Sequence, residues 1–170
     1  MQVRILTPGD APAFQALRLR GLQECPSAFA SSYEEERGTP VAVVAERLTT
    51  QEDRATFGAF QEQHLIAVVG LQREQPSKLA HKAYIWGMYV EPSVRNRGVG
   101  YQLVGQALSY AASDLRVRQV CLGVNAQNVA AIALYKRLGF VQFGLEPGFM
   151  LLNEELHDEM HMVCLLQRAP

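Results

Sequence analysis

Between Tyr84 and Ala112 the chain passes from an apolar run to a helical period, and the change is made by Val94-Arg95-Asn96-Arg97-Gly98-Val99-Gly100. A strand, an Arg/Gly turn and a helix in succession make an anion site. The first N–H groups of a helix have no internal partners, and the macrodipole makes that end positive. Gly98 and Gly100 lack a Cβ, which predicts close approach of a phosphate to bare backbone. Arg95 and Arg97 add charge that persists at any ordinary pH. The expected ligand is a phosphorylated small molecule. The order R-x-x-G-x-G is neither the P-loop pattern nor the three-glycine dinucleotide pattern.

A chain of 170 residues predicts a single domain over residues 1–170, with 48% hydrophobic and 19% charged residues describing an ordinary globule. The formal net charge of −1 gives no reason to expect nucleic acid or an anionic membrane as partner. Cys25, Cys121 and Cys164 are odd in number and far apart, which predicts reduced thiols rather than a disulfide framework. There is no 18-residue apolar run and no signal-type h-region after Met1, so the cytoplasm is the expected compartment.

Periodicity predicts a strand at Val3–Leu6, a helix from Asp10 carrying Phe14, Leu17 and Leu22, and an irregular segment from Cys25 to Glu36. Thr39-Pro40 should start a short helix to about Leu48. Strands follow at Arg54–Phe60, His64–Leu71 and Lys82–Val90, then a helix from Gly98 to about Ala112 and a strand at Gln119–Val124. A helix from Asn128 to Leu138 should end at a left-handed Gly139 with Phe140 packed back on it. Two closing strands, Val141–Leu145 and Met160–Leu166, surround an expected turn at Glu146-Pro147-Gly148. The fold class is α/β of the α+β type: one mixed, mostly antiparallel sheet with helices on both faces.

Met88-Tyr89-Val90, Pro92 and Arg95-x-x-Gly98-x-Gly100, followed by Leu122-x-Val124-x-x-x-Asn128-x-x-Ala131-x-x-Leu134-Tyr135-x-x-x-Gly139-Phe140, resemble the two consecutive motifs of the GNAT superfamily of acyl-CoA N-acyltransferases. The resemblance covers residues 82–145 and implies an acetyl-CoA-dependent N-acetyltransferase acting on a small-molecule primary amine. By position, it implies that Met88, Tyr89 and Val90 meet the pantetheine arm, with Met88 and Val90 pairing through their backbone. The amides of Arg95, Asn96, Arg97, Gly98, Val99 and Gly100 should hold the pyrophosphate. Asn128 should contact the pantetheine or acetyl end, and Tyr135 should act as general acid at the thioester sulfur. A phenol at a reference pKa of about 10 against about 8.5 for a thiol makes full proton transfer uphill by roughly 2 kcal/mol, so a strengthening hydrogen bond serves as well.

Several family members place a carboxylate base near the position of Tyr84, but Lys82–Val90 contains no acid. The base is then a water or a residue from elsewhere. Phe29, Tyr33 and Glu34, in the expected acceptor-side loop, are candidate acceptor contacts, as are Tyr84 and Trp86. Strict alternation would put Tyr84, Trp86 and Met88 on one face and Tyr89 on the other. The run Glu34 to Glu36 reads as a solvated face or as the cationic-acceptor site. His157-Asp-Glu-Met-His161 invites a zinc reading, but on a strand the two histidines stand about 13 Å apart, so no metal is expected. The segment instead suits hairpin hydrogen bonds or a pocket wall. Two other readings stay open, a protein or peptide N-acetyltransferase and a non-catalytic acyl-CoA sensor, as does a homodimer.

Overall fold

A computed structural model describes residues 1–49 and 51–166. In chain order its elements are β1 (Gln2–Ile5), α1 (Ala11–Glu24), α2 (Tyr33–Glu36), α3 (Val41–Arg47), β2 (Arg54–Gln61), β3 (His64–Arg73), β4 (Lys82–Val90), α4 (Val99–Ser113), β5 (Gln119–Asn125), α5 (Val129–Arg137), β6 (Val141–Leu152) and β7 (Glu155–Leu165). The strands form one seven-stranded sheet in the order β1-β2-β3-β4-β5-β7-β6. Every neighbouring pair is antiparallel except β4 with β5. The expected mixed sheet is therefore present, with helices on both faces.

Two apolar layers sandwich it. On one face the stripe Val99, Leu103, Val104, Ala107 and Ala111 of α4 packs with Phe57, Leu71, Val120, Phe140 and Met162. On the other, Leu17 and Leu22 of α1 and Val44 of α3 pack with Leu6, Phe60, Val68 and Tyr89. Each fully buried side chain of this size contributes roughly 1.5–3 kcal/mol. Gly139 is left-handed, at φ 89°, and stops α5 so that Phe140 turns back edge-on to Tyr135 at 5.6 Å.

Three expectations need correction. The chain does not reverse at Glu146-Pro147-Gly148: β6 continues to Leu152, and the reversal comes at Asn153-Glu154, both left-handed at φ 49° and 65°. The Pro-Gly pair makes a bulge instead, with Gly148 N–H donating to Asp158 Oδ1 at 2.8 Å, which an edge strand tolerates. Within the segment read as irregular, Ser32 and Glu35 cap one helical turn reciprocally, forming α2. Finally, the alternation along β4 breaks at Gly87, which is left-handed at φ 63° where the register against β3 shifts. One extra residue inverts every later side chain, so Tyr89 joins the α1 face with Tyr84 and Trp86 while Met88 faces α4.

Candidate active site

The Gly87 bulge also shapes a cleft. The parallel pairing of β4 with β5 runs only from Lys82↔Gln119 to Tyr84↔Cys121, while β5 stays paired to β7 through Asn125↔Glu159. Beyond Tyr84 the two strands part, and the backbone of Met88 to Val90 borders the gap. An extended ligand can add there as a strand does. One backbone acceptor is partly used: the Val90 carbonyl receives Arg95 Nε–H at 2.9 Å.

The gap leads to the turn that opens α4. Glu91 anchors the end of β4: it is buried, ion-paired to Arg20 and 3.3 Å from His64 Nε2, and its amide donates to Ile66 O at 2.9 Å. Asn96 and Gly98 are both left-handed, at φ 61° and 79°, so the intervening amides curl into a concave nest. Among the described residues, no backbone carbonyl accepts from the amides of residues 96–100. The two arginines divide. Arg95 turns back to Glu24 at 3.0 Å and lies over Tyr89, whose hydroxyl donates to the same carboxylate at 2.5 Å, whereas Arg97 stays exposed.

The two glycines divide as well. A Cβ on Gly98 would meet nothing within 4 Å, but its φ excludes most side chains; a Cβ on Gly100 would press on Leu134 and Met88, each at 3.1 Å. Packing among α4, α5 and β4 therefore favours a glycine at 100 in addition to any ligand at the turn.

Helix α5 borders the cleft. Asn128 caps it, its Oδ1 accepting from Ala131 N–H at 3.1 Å, which leaves the amide nitrogen for another partner. Tyr135 is 5% exposed, and burial pushes its phenol far above the ordinary tyrosine range. It stays a neutral hydrogen-bond donor.

On the opposite face of the sheet, Arg18 of α1 forks onto Glu36 at 3.0 and 2.7 Å and stacks 4.6 Å over Phe29. Its third nitrogen, Nη1, has no partner and lies 3.6 Å from where a Gly87 Cβ would sit. Burial pushes Glu36 up, but its bonds to Arg18 and the charges of Arg18 and Arg47 hold it below the usual carboxylate range. Of the acidic run only Glu36 turns inward. Glu34 is 70% exposed beside Arg37 and Glu35 caps Ser32, so the solvated-face reading describes these two. Tyr33 packs against the α1 layer.

A carboxylate from β7 reaches the same face of the sheet as Tyr84 and Trp86. Glu159 lies across Gly123 of β5, filling the space of the absent Cβ. Burial raises its pKa, Glu146 raises it further, and His161 opposes both. Trp86 and Gly123 each stand two residues past the last β4–β5 pair, Tyr84↔Cys121, on the two sides of the gap. With Phe29, Asn125, His157 and Asp158, Glu159 lines a cavity of about 20 Å³. His157 and His161 are on a strand as expected: His157 Nδ1 is 3.5 Å from Asn125 Nδ2, and His161 Nε2 is 3.2 Å from Glu146 Oε2. The signal for Glu159 was the pairing of Gly123 with a strand carrying an acid, and that pairing crosses more than thirty residues of chain.

A second, larger cavity of about 250 Å³ lies over β2, β3 and β4, between Arg47, Leu48, Arg54, Thr56, Gln72 and Trp86. The Trp86 indole lies flat on Gly70, where a side chain would displace it, and Tyr84 donates to Gln72 Oε1 at 2.9 Å. No helix among the described residues is long and apolar enough to cross a membrane.

The model of the acetyltransferase (GNAT) family matches residues 21–140. The mycothiol acetyltransferase of Salinispora arenicola is 31% identical over 156 residues, 86% of this chain and 47% of that protein. A GNAT-family acetyltransferase from Streptococcus pneumoniae superposes with a TM-score of 0.86 at 21% identity, covering 97% of this chain and 99% of the other. The Salmonella typhimurium yncA structure, solved with its cofactor acetyl-CoA, gives a TM-score of 0.81 at 15% identity over 100% of this chain and 96% of that one. These structures share the fold. The chain spans roughly half or less of the length of the curated relatives it matches, among which are a histone and a spermidine acetyltransferase.

Proposed function

The chain belongs to the acetyltransferase (GNAT) family, and on that premise we propose that it transfers the acetyl group of acetyl-CoA to a primary amine of a small molecule, by direct attack in a ternary complex. The observation that carries this reading is the opening of the parallel β4–β5 pair after Tyr84, directly ahead of the left-handed turn that begins α4.

In this reading the amides of residues 96–100, with Arg97, hold the pyrophosphate, and the backbone of Met88 and Val90 receives the pantetheine arm. Asn128 offers its free amide nitrogen to that arm. Tyr135 donates a hydrogen bond to the departing sulfur; with its pKa raised by burial, complete proton transfer is even less favourable than reference values suggest. Glu159 accepts the amine proton, and its raised pKa narrows the gap to the amine. At pH 7 neutralising an α-amine costs only about 1 kcal/mol, against about 4.6 kcal/mol for a lysine-like amine. The 250 Å³ cavity beside Trp86 supports a small acceptor. Three free cysteines support a reducing compartment, the cytoplasm. The exposed apolar side chains Val141, Phe143 and Leu145 on edge strand β6 support a homodimer.

The test is release of free thiol from acetyl-CoA with polyamines, aminoglycosides, amino acids and N-terminal peptides, alongside thermal unfolding. Acetyl-CoA should stabilise the chain by about 2.7 kcal/mol at a hundredfold excess over Kd. Gly98→Val should abolish that shift, because a β-branched residue resists the left-handed turn. A normal shift in Gly98→Val would remove the pyrophosphate assignment, and thiol release with no amine in the panel would remove the transfer.

A further inference from the structure

We propose that the cavity over β2, β3 and β4 binds a carboxylate carried by the acceptor, so that the acceptor is an amino acid rather than a simple amine or a polyamine. The inference rests on the acetyl-transfer reading for the identity of the acceptor, but the anion site stands on its own observations. Two arginines, Arg47 and Arg54, line the cavity, and no carboxylate lines it. Among the described residues neither guanidinium has a carboxylate oxygen within 4.0 Å, and Arg54 Nε is shielded from water without any hydrogen-bond partner. Of the nearby carboxylates, Glu36 gives both oxygens to Arg18 while feeling the charge of Arg47, Asp53 accepts from the Gln75 amide, and among the described residues Glu46, Glu52 and Glu74 form no ion pair with either arginine. Unpaired cations in a concave site with an apolar wall, here Leu48 and Trp86, are the means of holding a carboxylate with a short apolar body.

The position suits the chemistry. Trp86 immediately precedes the Gly87 bulge and stands two residues past the last β4–β5 pair, as Gly123, under Glu159, does on β5. On one face of the sheet the acceptor therefore meets a basic cavity over β2 to β4 and an acidic one over β5 and β7, with Arg18 Nη1 offering a further unpartnered donor at the bulge. A zwitterion fits that polarity with its amine toward Glu159 and its carboxylate toward Arg54. A polyamine would place a second cation against two arginines.

Trp86 is the only tryptophan of the chain, so its fluorescence reports occupancy of this cavity without reference to catalysis. Titration with 3-methylbutanoate at constant ionic strength should give a saturable change, and 3-methylbutanamide should give none. Arg54→Gln should weaken the carboxylate at least tenfold. Arg47→Gln should do the same, and supplies a second reading should the first variant unfold. In the thiol-release assay, amidating the carboxylate of amino-acid acceptors should lower kcat/KM at least tenfold in the wild type and leave it unchanged in Arg54→Gln. Equal response to acid and amide, or a carboxylate response indifferent to both arginines, overturns the proposal. A specific carboxylate response without thiol release from any acceptor would leave the anion site standing and remove acetyl transfer instead.

Discussion

The two cavities share a sheet face and differ in almost everything else. The one over β5 and β7 has a volume of about 20 Å³ and is walled by Glu159, Asp158 and His157; the one over β2 to β4 has about 250 Å³ and is walled by Arg47 and Arg54. The difference follows from strand origin. Helices α1 and α3 and strands β2 to β4 come from residues 1–90, while β5 to β7 come from residues 119–165. Only the sheet brings the acidic and basic cavities side by side. The contrast teaches that net charge is a poor guide here: a chain at −1 overall holds two local fields of opposite sign.

The most direct way to break the comparison is to neutralise its acidic side. Glu159→Gln should lower kcat by a factor of about 10² to 10⁴ with acetyl-CoA affinity intact, and should flatten the rise of rate with pH. Stability should move the other way. A carboxyl whose folded pKa is raised contributes its full stability below its unfolded pKa, and that contribution is lost as pH rises through the folded value. Above the folded pKa the ionised group is a cost, so there the glutamine variant should melt at or above the wild-type temperature. Lower rate together with lower Tm would make Glu159 a structural residue.

A second change sharpens the comparison by touching neither cavity. Tyr135→Phe should lower kcat by about 10² with KM for the acceptor unchanged, and by the same factor for amino-acid and amide acceptors alike. A loss that depends on the acceptor would place the hydroxyl in acceptor binding rather than at the leaving group.

The smallest effects should separate two neighbours on α2. Glu36→Ala leaves the Arg18 guanidinium, 11% exposed, without its partner, and should destabilise the fold by about 3 kcal/mol in denaturant unfolding. Glu34→Ala removes a pair exposed at both ends and should cost less than about 0.5 kcal/mol, with KM unchanged for cationic acceptors. A large KM effect at Glu34 would restore the acidic run as an acceptor site.

What could be read from the chain in advance was whatever short-range physics decides. The passage from strand through turn to helix around residues 94–100 is local, a helix begins at about Asn128, and Gly139 stops that helix because its left-handed φ costs little without a Cβ. Those signals span ten residues or fewer, and each held. The sheet and its mostly antiparallel pairing were also legible, because hydrophobic period and loop length restrict how strands can neighbour one another.

Tertiary structure decided the rest. Alternation alone put Tyr89 opposite Trp86, and one left-handed glycine at 87 reversed it by adding a residue that β3 does not match. A packing reason for glycine at 100 emerged only when Leu134 and Met88 were placed next to it. Glu159 became a candidate base only when β7 docked antiparallel on β5 and laid its carboxylate over Gly123. Each of these depends on register between segments distant in sequence. A single-residue slip moves a side chain to the other face of the sheet, and nothing local to either strand records which register wins.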